Sequence, residues 1–212
     1  MDFASIPPAR GYYEEVQWYI GVDEAGRGAL AGPVCVGAVL LPEDLDWREA
    51  FALVTRRGLP KLRDSKKLSA QQRELLYGYI VEHGRMRHAH ALIDSRTIDE
   101  IGIVNATHEA AAKAVSSLGI SHARVSVLLD AGLRLSEEWT QESFVRGDEN
   151  IPAIALASII AKVSRDRFMD ELSTSYAGYG FEQHKGYGTL DHRRAISSYG
   201  VLQGIHRTSF VH

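Results

Sequence analysis

Strand-like and helix-like stretches alternate along the chain, which predicts an α/β fold. Three observations carry that prediction. An early stretch places an apolar residue at every second position, an almost wholly apolar run follows it, and a long later segment repeats its apolar residues near helical spacing. There is no internal repeat and no low-complexity tract.

Val16, Trp18, Ile20 and Val22 alternate with Gln17, Tyr19 and Gly21, predicting a first strand that ends at Asp23. Residues 34–41 are apolar throughout and read as a central strand closed by Pro42, paired with the first. Ser69 and Gln72 form a capping box that opens a helix running to about His83, with Gly84 as its stop. Residues 88–93 read as a third strand. Thr97–Glu100 and Asn105 look like helix starts, the second helix running to Leu118 and stopping at Gly119. Residues 123–129 form a fourth strand ending at Asp130, and Ser143–Arg146 a short fifth ending near Asp148. Pro152 then opens the longest helix, in which Leu156, Ile159, Ile160, Val163, Met169 and Leu172 recur. The tail from Tyr176 is rich in glycine, histidine and tyrosine.

With 212 residues, 45% of them hydrophobic, the chain suits one domain with a substantial core. Its net charge is −3, unlike the basic balance of many nucleic-acid binders, so contact with a polyanion has to be local. Cys35, the only cysteine, lies between Val34 and Val36 and reads as a small buried residue, which fits a reducing cytoplasm. The amino terminus lacks a signal peptide's basic start and apolar core, and no apolar run approaches the roughly 18 residues of a membrane span. A soluble, cytoplasmic protein is expected.

The first strand runs into Asp23-Glu24-Ala25-Gly26-Arg27-Gly28, two adjacent carboxylates beside a glycine-flanked arginine. Carboxylates at a strand end suit hard divalent cations, and glycines let main chain approach a phosphodiester. Asp130 and Asp148 also follow apparent strands, and four carboxylates at converging strand ends repel one another unless cations neutralise them. Such a set could serve two Mg²⁺ ions about 3.5–4 Å apart; no Cys/His spacing supports zinc. A lone strand-end Asp is more often a turn or capping residue, and it is the joint pattern that raises the metal reading. Consecutive strand side chains face opposite ways, so bringing Asp23 and Glu24 into one site calls for a bend, which Gly26 and Gly28 would permit.

Gly21-Val22-Asp23-Glu24-Ala25-Gly26-Arg27-Gly28, with Leu30-Ala31-Gly32-Pro33-Val34 behind it, resembles the opening motif of ribonuclease HII. Asp64-Ser65-Lys66-Lys67-Leu68-Ser69, the stretch from Ala157 to Arg167, His184-Lys185-Gly186-Tyr187-Gly188-Thr189 and Ile205-His206-Arg207-Thr208-Ser209-Phe210 resemble further blocks of that family, in order, from Tyr19 to Phe210. The resemblance implies a ribonuclease H-like fold, a central mixed β-sheet flanked by helices with a small carboxyl-terminal helical region. Residues 1–212 would form one catalytic domain, with about 176–212 contacting substrate. It also implies that Asp23, Glu24, Asp130 and Asp148 are catalytic ligands of Mg²⁺ or Mn²⁺, and that the substrate is an RNA/DNA hybrid or duplex DNA with embedded ribonucleotides. Cleavage would fall 5′ to a ribonucleotide, in the service of ribonucleotide removal and DNA replication.

By the same resemblance Gly26, Arg27 and Gly28 with Tyr187 would read the 2′-hydroxyl, the group that marks a ribose in every base context. Taken alone, Tyr187 between two glycines is an ordinary turn tyrosine. Arg56, Arg57, Lys61, Arg63, Lys66, Lys67 and Arg73 crowd one segment, and Lys162, Arg165, Arg167, Lys185, Arg193 and Arg194 follow. Lys66, Lys67 and Lys185 are the candidates for phosphate contact, although a charge run is usually a solvated face. His184, His192 and His206 read as structural.

Ala29 stands where the family commonly has proline, and Ala131 separates Asp130 from Gly132, which are commonly adjacent. The second departure would tilt the Asp130 carboxylate or shift its loop. The chain is taken as a monomer, and its ending at His212 gives no support for a tail that docks on a sliding clamp. Ribonuclease HIII fits less well, since that group typically carries an extra amino-terminal domain and lacks the intact Gly-Arg-Gly. A binding module without turnover would gain nothing from the four carboxylates. A phosphotransferase would need the Gly-x-x-x-x-Gly-Lys-Ser/Thr loop, which is absent.

Overall fold

The computed structural model describes residues 17–45 and 68–211. Among these, five strands form one mixed sheet in the order β3-β2-β1-β4-β5: β1 (Trp18–Ala25), β2 (Val34–Pro42), β3 (Arg87–Ile93), β4 (Val125–Asp130) and β5 (Thr140–Phe144). β1 runs antiparallel to β2 and parallel to β4. The helices are α1 (Ala70–Glu82), α2 (Ser95–Ile101), α3 (Ile103–Ser116), α4 (Gly147–Asn150), α5 (Pro152–Ser175), α6 (Phe181–His184) and α7 (Leu190–Tyr199). This is the ribonuclease H-like arrangement expected, with small helices gathered at the carboxyl end. No described helix is long and apolar enough to cross a membrane.

Period-two alternation sorts the central strands into two cores. Ile20, Val22, Val36, Ala38, Val127 and Leu129 face α3 with Ala106, Ala110 and Ala114. Val39, Leu41 and Leu128 face α1 and α5 with Leu76, Ile80, Leu156 and Ile160. α5 lies so close to the sheet that a Cβ on Gly21 would stand 2.0 Å from the Ala153 carbonyl oxygen, and one on Gly37 2.4 Å from that of Ala157. The helix backbone therefore rests directly on β1 and β2. Cys35 is buried here, and burial pushes its thiol up to about 12.

Most elements lie where the sequence places them, including α1 with both halves of its capping box. α2 is capped by Asp94, whose side chain accepts from the Thr97 amide, so it begins before the Thr97 start read from sequence. α3 begins at Ile103 rather than near Asn105, whose amide instead donates to the Ile101 carbonyl. β5 covers 140–144, not 143–146: Arg146 adopts a left-handed conformation that turns the chain into α4, placing Asp148 in a helical first turn. Lys66 and Lys67 lie outside the described residues, as do Val16, Arg56, Arg57, Lys61 and Arg63.

Candidate active site

The register of the parallel pair β1 and β4 builds the acidic site. Pairing ends at Val22↔Leu129, so Asp23 and Asp130 are the next residues on adjacent strands. β1 nevertheless stays paired with β2 as far as Ala25↔Cys35. The strand is thus regular through Asp23 and Glu24, and the bend expected at Gly26 comes only after them. Their carboxylates meet because β4 stops pairing at Val22, which opens both faces of β1 along one edge. One carboxylate oxygen from each of Asp23, Glu24 and Asp130 lies within 4.8 Å of the others.

Each carboxylate has local support. Asp23 Oδ1 accepts from the Glu24 amide at 2.7 Å, Asp130 Oδ1 from the Gly147 amide at 2.9 Å, and Glu24 Oε1 from the Arg27 guanidinium at 3.4 Å. Burial, then the charges of Glu24, Asp130 and Asp148, hold the Asp23 carboxyl well above the usual carboxylate range. Glu24 is raised too, by burial first, against the lowering charge of Arg27. Asp148 is buried beside Gly147 and acts on Asp23 through its charge, but it is not one of the three converging carboxylates. Ala131 is absorbed in the turn after β4, where the Leu133 amide returns to the Asp130 carbonyl and Gly132 takes a φ of 90°. Asp130 still reaches the cluster.

The donor set fits a hard divalent cation. All three residues offer carboxylate oxygen, and Glu24 Oε2 is buried with no hydrogen-bond partner among the described residues. A buried, repelling set of this kind is stabilised by positive charge.

The Gly-Arg-Gly loop leaves β1 through Gly26, buried at a φ of 86°, where a Cβ would stand 1.8 Å from Arg165 Nε. Gly28 is exposed with nothing within 4 Å of a Cβ position, so its main chain is open to a ligand. Two buried arginines hold the loop from beneath. Arg165 donates to the carbonyls of Pro33, Ala31 and Lys185, and Arg207 to those of Gly32 and Arg27. The Leu30 and Ala31 amides both donate to the Gly186 carbonyl, which fastens the segment carrying Tyr187 to the loop. Arg165 and Lys162 stand 5.3 and 5.6 Å from the centre of the exposed Tyr187 ring. Lys185 is less available than its sequence suggests: Nζ is engaged by Asp170 and by the Glu182 carbonyl.

Sequence reasoning places Arg165 among the basic surface residues and reads Arg207 only as part of a motif. The signal for Arg165 is its place between Ala161 and Met169, the apolar residues four positions either side of it on the same helix face, both of which are buried.

A mixed sheet in this order, with carboxylates gathered at the ends of adjacent central strands, is an arrangement of the ribonuclease H-like class. The model of the family "Ribonuclease HII" matches residues 20–212, and the chain belongs to that family. Ribonuclease HII of Bacillus licheniformis is 44% identical over 202 residues, covering 95% of this chain and 71% of that protein. Among solved structures, ribonuclease H2 from Pyrococcus horikoshii superposes with a TM-score of 0.70 at 25% identity, covering 91% of this chain and 93% of that one. Ribonuclease HII of Archaeoglobus fulgidus, solved as a complex with PCNA, superposes with a TM-score of 0.65 at 25% identity over 89% of this chain and 91% of that one. The chain is thus a ribonuclease H, an endonuclease hydrolase acting on RNA/DNA substrates.

Proposed function

We propose that this chain hydrolyses the phosphodiester bond 5′ to a ribonucleotide, in RNA/DNA hybrids and in duplex DNA with embedded ribonucleotides, and so serves ribonucleotide removal from DNA. The observation that carries the reading is the convergence of Asp23, Glu24 and Asp130, with a buried unpartnered Glu24 oxygen, directly before an open glycine loop. Two divalent ions, Mg²⁺ or Mn²⁺, bound there would supply a water of lowered pKa and positive charge for the leaving 3′ oxygen. Asp23, Glu24 and Asp130 would hold them, with Asp148 completing the set from α4.

Gly28, exposed and with open space at its Cβ position, would admit the ribose and its flanking phosphates to the loop main chain, Gly26 giving the buried turn that presents it, while Arg27 would meet a phosphate from beside Glu24. The Tyr187 ring, backed by Arg165 and Lys162, would stack under the neighbouring sugar. Lys66 and Lys67 would contact the backbone, and Lys185 would do so by exchanging Asp170 for a phosphate. In this reading residues 1–212 act as one catalytic domain, with about 176–212 closing on the substrate.

The deciding experiment incubates purified protein with a labelled duplex holding one ribonucleotide, with an all-DNA duplex, and with Mg²⁺, Mn²⁺ or a chelator. Cutting of the ribonucleotide duplex alone, at its 5′ side and only with metal, is expected. Cutting of neither duplex, or of both equally, would sink the assignment.

A further inference from the structure

Behind Tyr187 lies a buried run of histidines that the proposed reaction does not use. His192 and His206 are fully buried, their Nε2 atoms 3.1 Å apart. At one end the Leu202 amide donates to His206 Nδ1 at 2.9 Å, and at the other His192 Nδ1 lies 3.0 Å from the Tyr187 carbonyl oxygen. A backbone amide can only donate and a carbonyl can only accept, so the run has a single consistent polarity. His206 accepts at Nδ1 and carries its proton on Nε2; it donates to His192 Nε2, and His192 therefore carries its proton on Nδ1 and donates to Tyr187. His184 stacks on His192 with ring centres 4.3 Å apart and planes 13° apart, and Phe181 meets His192 edge-on, which fixes the plane of the donor. Burial lowers the pKa of both His192 and His206, which favours the neutral state this polarity requires.

We propose that His192 and His206 are positioning residues for ribonucleotide selection: the directed chain from Leu202 sets the main chain at Tyr187 and thereby the placement of the ring that meets the sugar. The inference rests on the reading of Tyr187 as the ribose-facing residue. The Tyr187 carbonyl also accepts from the Thr189 amide at 2.8 Å, so a local turn and a distant loop both converge on it. The turn alone fixes a dihedral. The histidine chain ties that turn to residues 202–206, whose own Ile205 carbonyl accepts from the Gly32 amide beyond the Gly-Arg-Gly loop. Ring and loop, the two parts that would grip one nucleotide from different stretches of sequence, are thereby referred to the same support.

The test compares kcat/KM on a duplex with one embedded ribonucleotide against kcat/KM on a long RNA/DNA hybrid, for the native protein, His192→Phe, His192→Asn and Tyr187→Ala. His192→Phe keeps a ring in place but loses both the donor to Tyr187 and the acceptor for His206 Nε2–H, and is expected to lower the ratio at least about tenfold. His192→Asn, whose amide nitrogen can take the place of Nδ1, should restore most of it. A structural role alone would lower both substrates together and leave the ratio unchanged, which overturns the inference, as does an Asn variant no better than Phe. If Tyr187→Ala leaves the ratio unchanged, the ribose reading of Tyr187 falls and this inference falls with it; a Tyr187→Ala effect without one from His192→Phe removes the positioning role alone. Should the His192 variants not fold, ¹⁵N spectra of the native imidazoles decide: a proton on His192 Nδ1 and on His206 Nε2 is expected, and the opposite tautomers overturn the proposal.

Discussion

Asp23 illustrates the conflict between folding and function at the scale of one residue. It is buried among carboxylates, and its carboxyl is held well above its usual range by burial and by the charges of Glu24, Asp130 and Asp148. Asp23→Asn removes that repulsion while its amide oxygen can still accept from the Glu24 amide. In the presence of a chelator the variant should melt about 2–4 °C above the native protein, the shift that roughly 1 kcal/mol gives a domain of this size, while losing turnover. A lower melting point in calorimetry would show that repulsion is not what Asp23 contributes. Sequence singles out Asp23, Asp130 and Asp148 as residues after apparent strands, with Glu24 beside the first. The structure puts Asp23 and Glu24 inside β1, Asp130 at the last position of β4 and Asp148 in the first turn of α4, and brings the first three together. How Asp23 and Glu24 could share a site was not legible in sequence, since that depends on where β4 stops pairing, and no single strand records its neighbour's register.

Elements were most legible where their signals are local. The Ser69–Gln72 capping box and Pro152 each mark a helix start by chemistry within one turn. β5 was misplaced because Thr140–Phe144 carries almost no apolar alternation, and its position comes from pairing Asp130 with Phe144. The contact of α5 with β1 yields a sharp contrast. Gly21→Ala would drive a Cβ into the Ala153 carbonyl and should cost more than about 3 kcal/mol in urea unfolding, whereas Gly28→Ala, with open space around it, should change stability by under roughly 0.5 kcal/mol. Equal losses would contradict this packing.

The carboxyl-terminal elements also carry a pH dependence. Burial pushes His192 down to about 4 and lowers His206, while in the unfolded chain both would titrate near roughly 6.5. Between those values the unfolded state binds more protons, so the contribution of these histidines is complete above about 6.5 and falls as the pH drops toward about 4. Urea midpoints across that range should fall more steeply for the native protein than for His192→Phe. Parallel curves would assign the acid sensitivity elsewhere.

For the whole molecule, a net charge of −3 has to be reconciled with a polyanionic substrate. The negative charge includes the clustered carboxylates, while Arg27, Arg165 and Lys162 gather around the loop and Tyr187. Duplex binding should therefore weaken with salt despite the acidic balance. Replacing both Lys66 and Lys67 by alanine should flatten the log–log slope by about 2, at roughly 0.9 for each phosphate no longer neutralised. An unchanged slope would place those lysines away from the duplex. The fold class could be read from alternating elements, but the bolting of Arg165 and Arg207 beneath the loop could not, since it joins residues more than a hundred positions apart.

The seating of α5 on Gly21 and Gly37 has a mechanical consequence. Where backbone rests on backbone there is no rotamer to readjust, so β1, which carries Asp23 and Glu24, is held against α5 and cannot shift on it to ease the repulsion among the carboxylates just beyond Val22. The place of two of the three clustered carboxylates is then set by the core. On the proposed metal reading, stiffness inside the protein and grip on the ion become one quantity, and a substitution that loosens α5 against the sheet would be felt as weaker metal binding without altering any of the carboxylates.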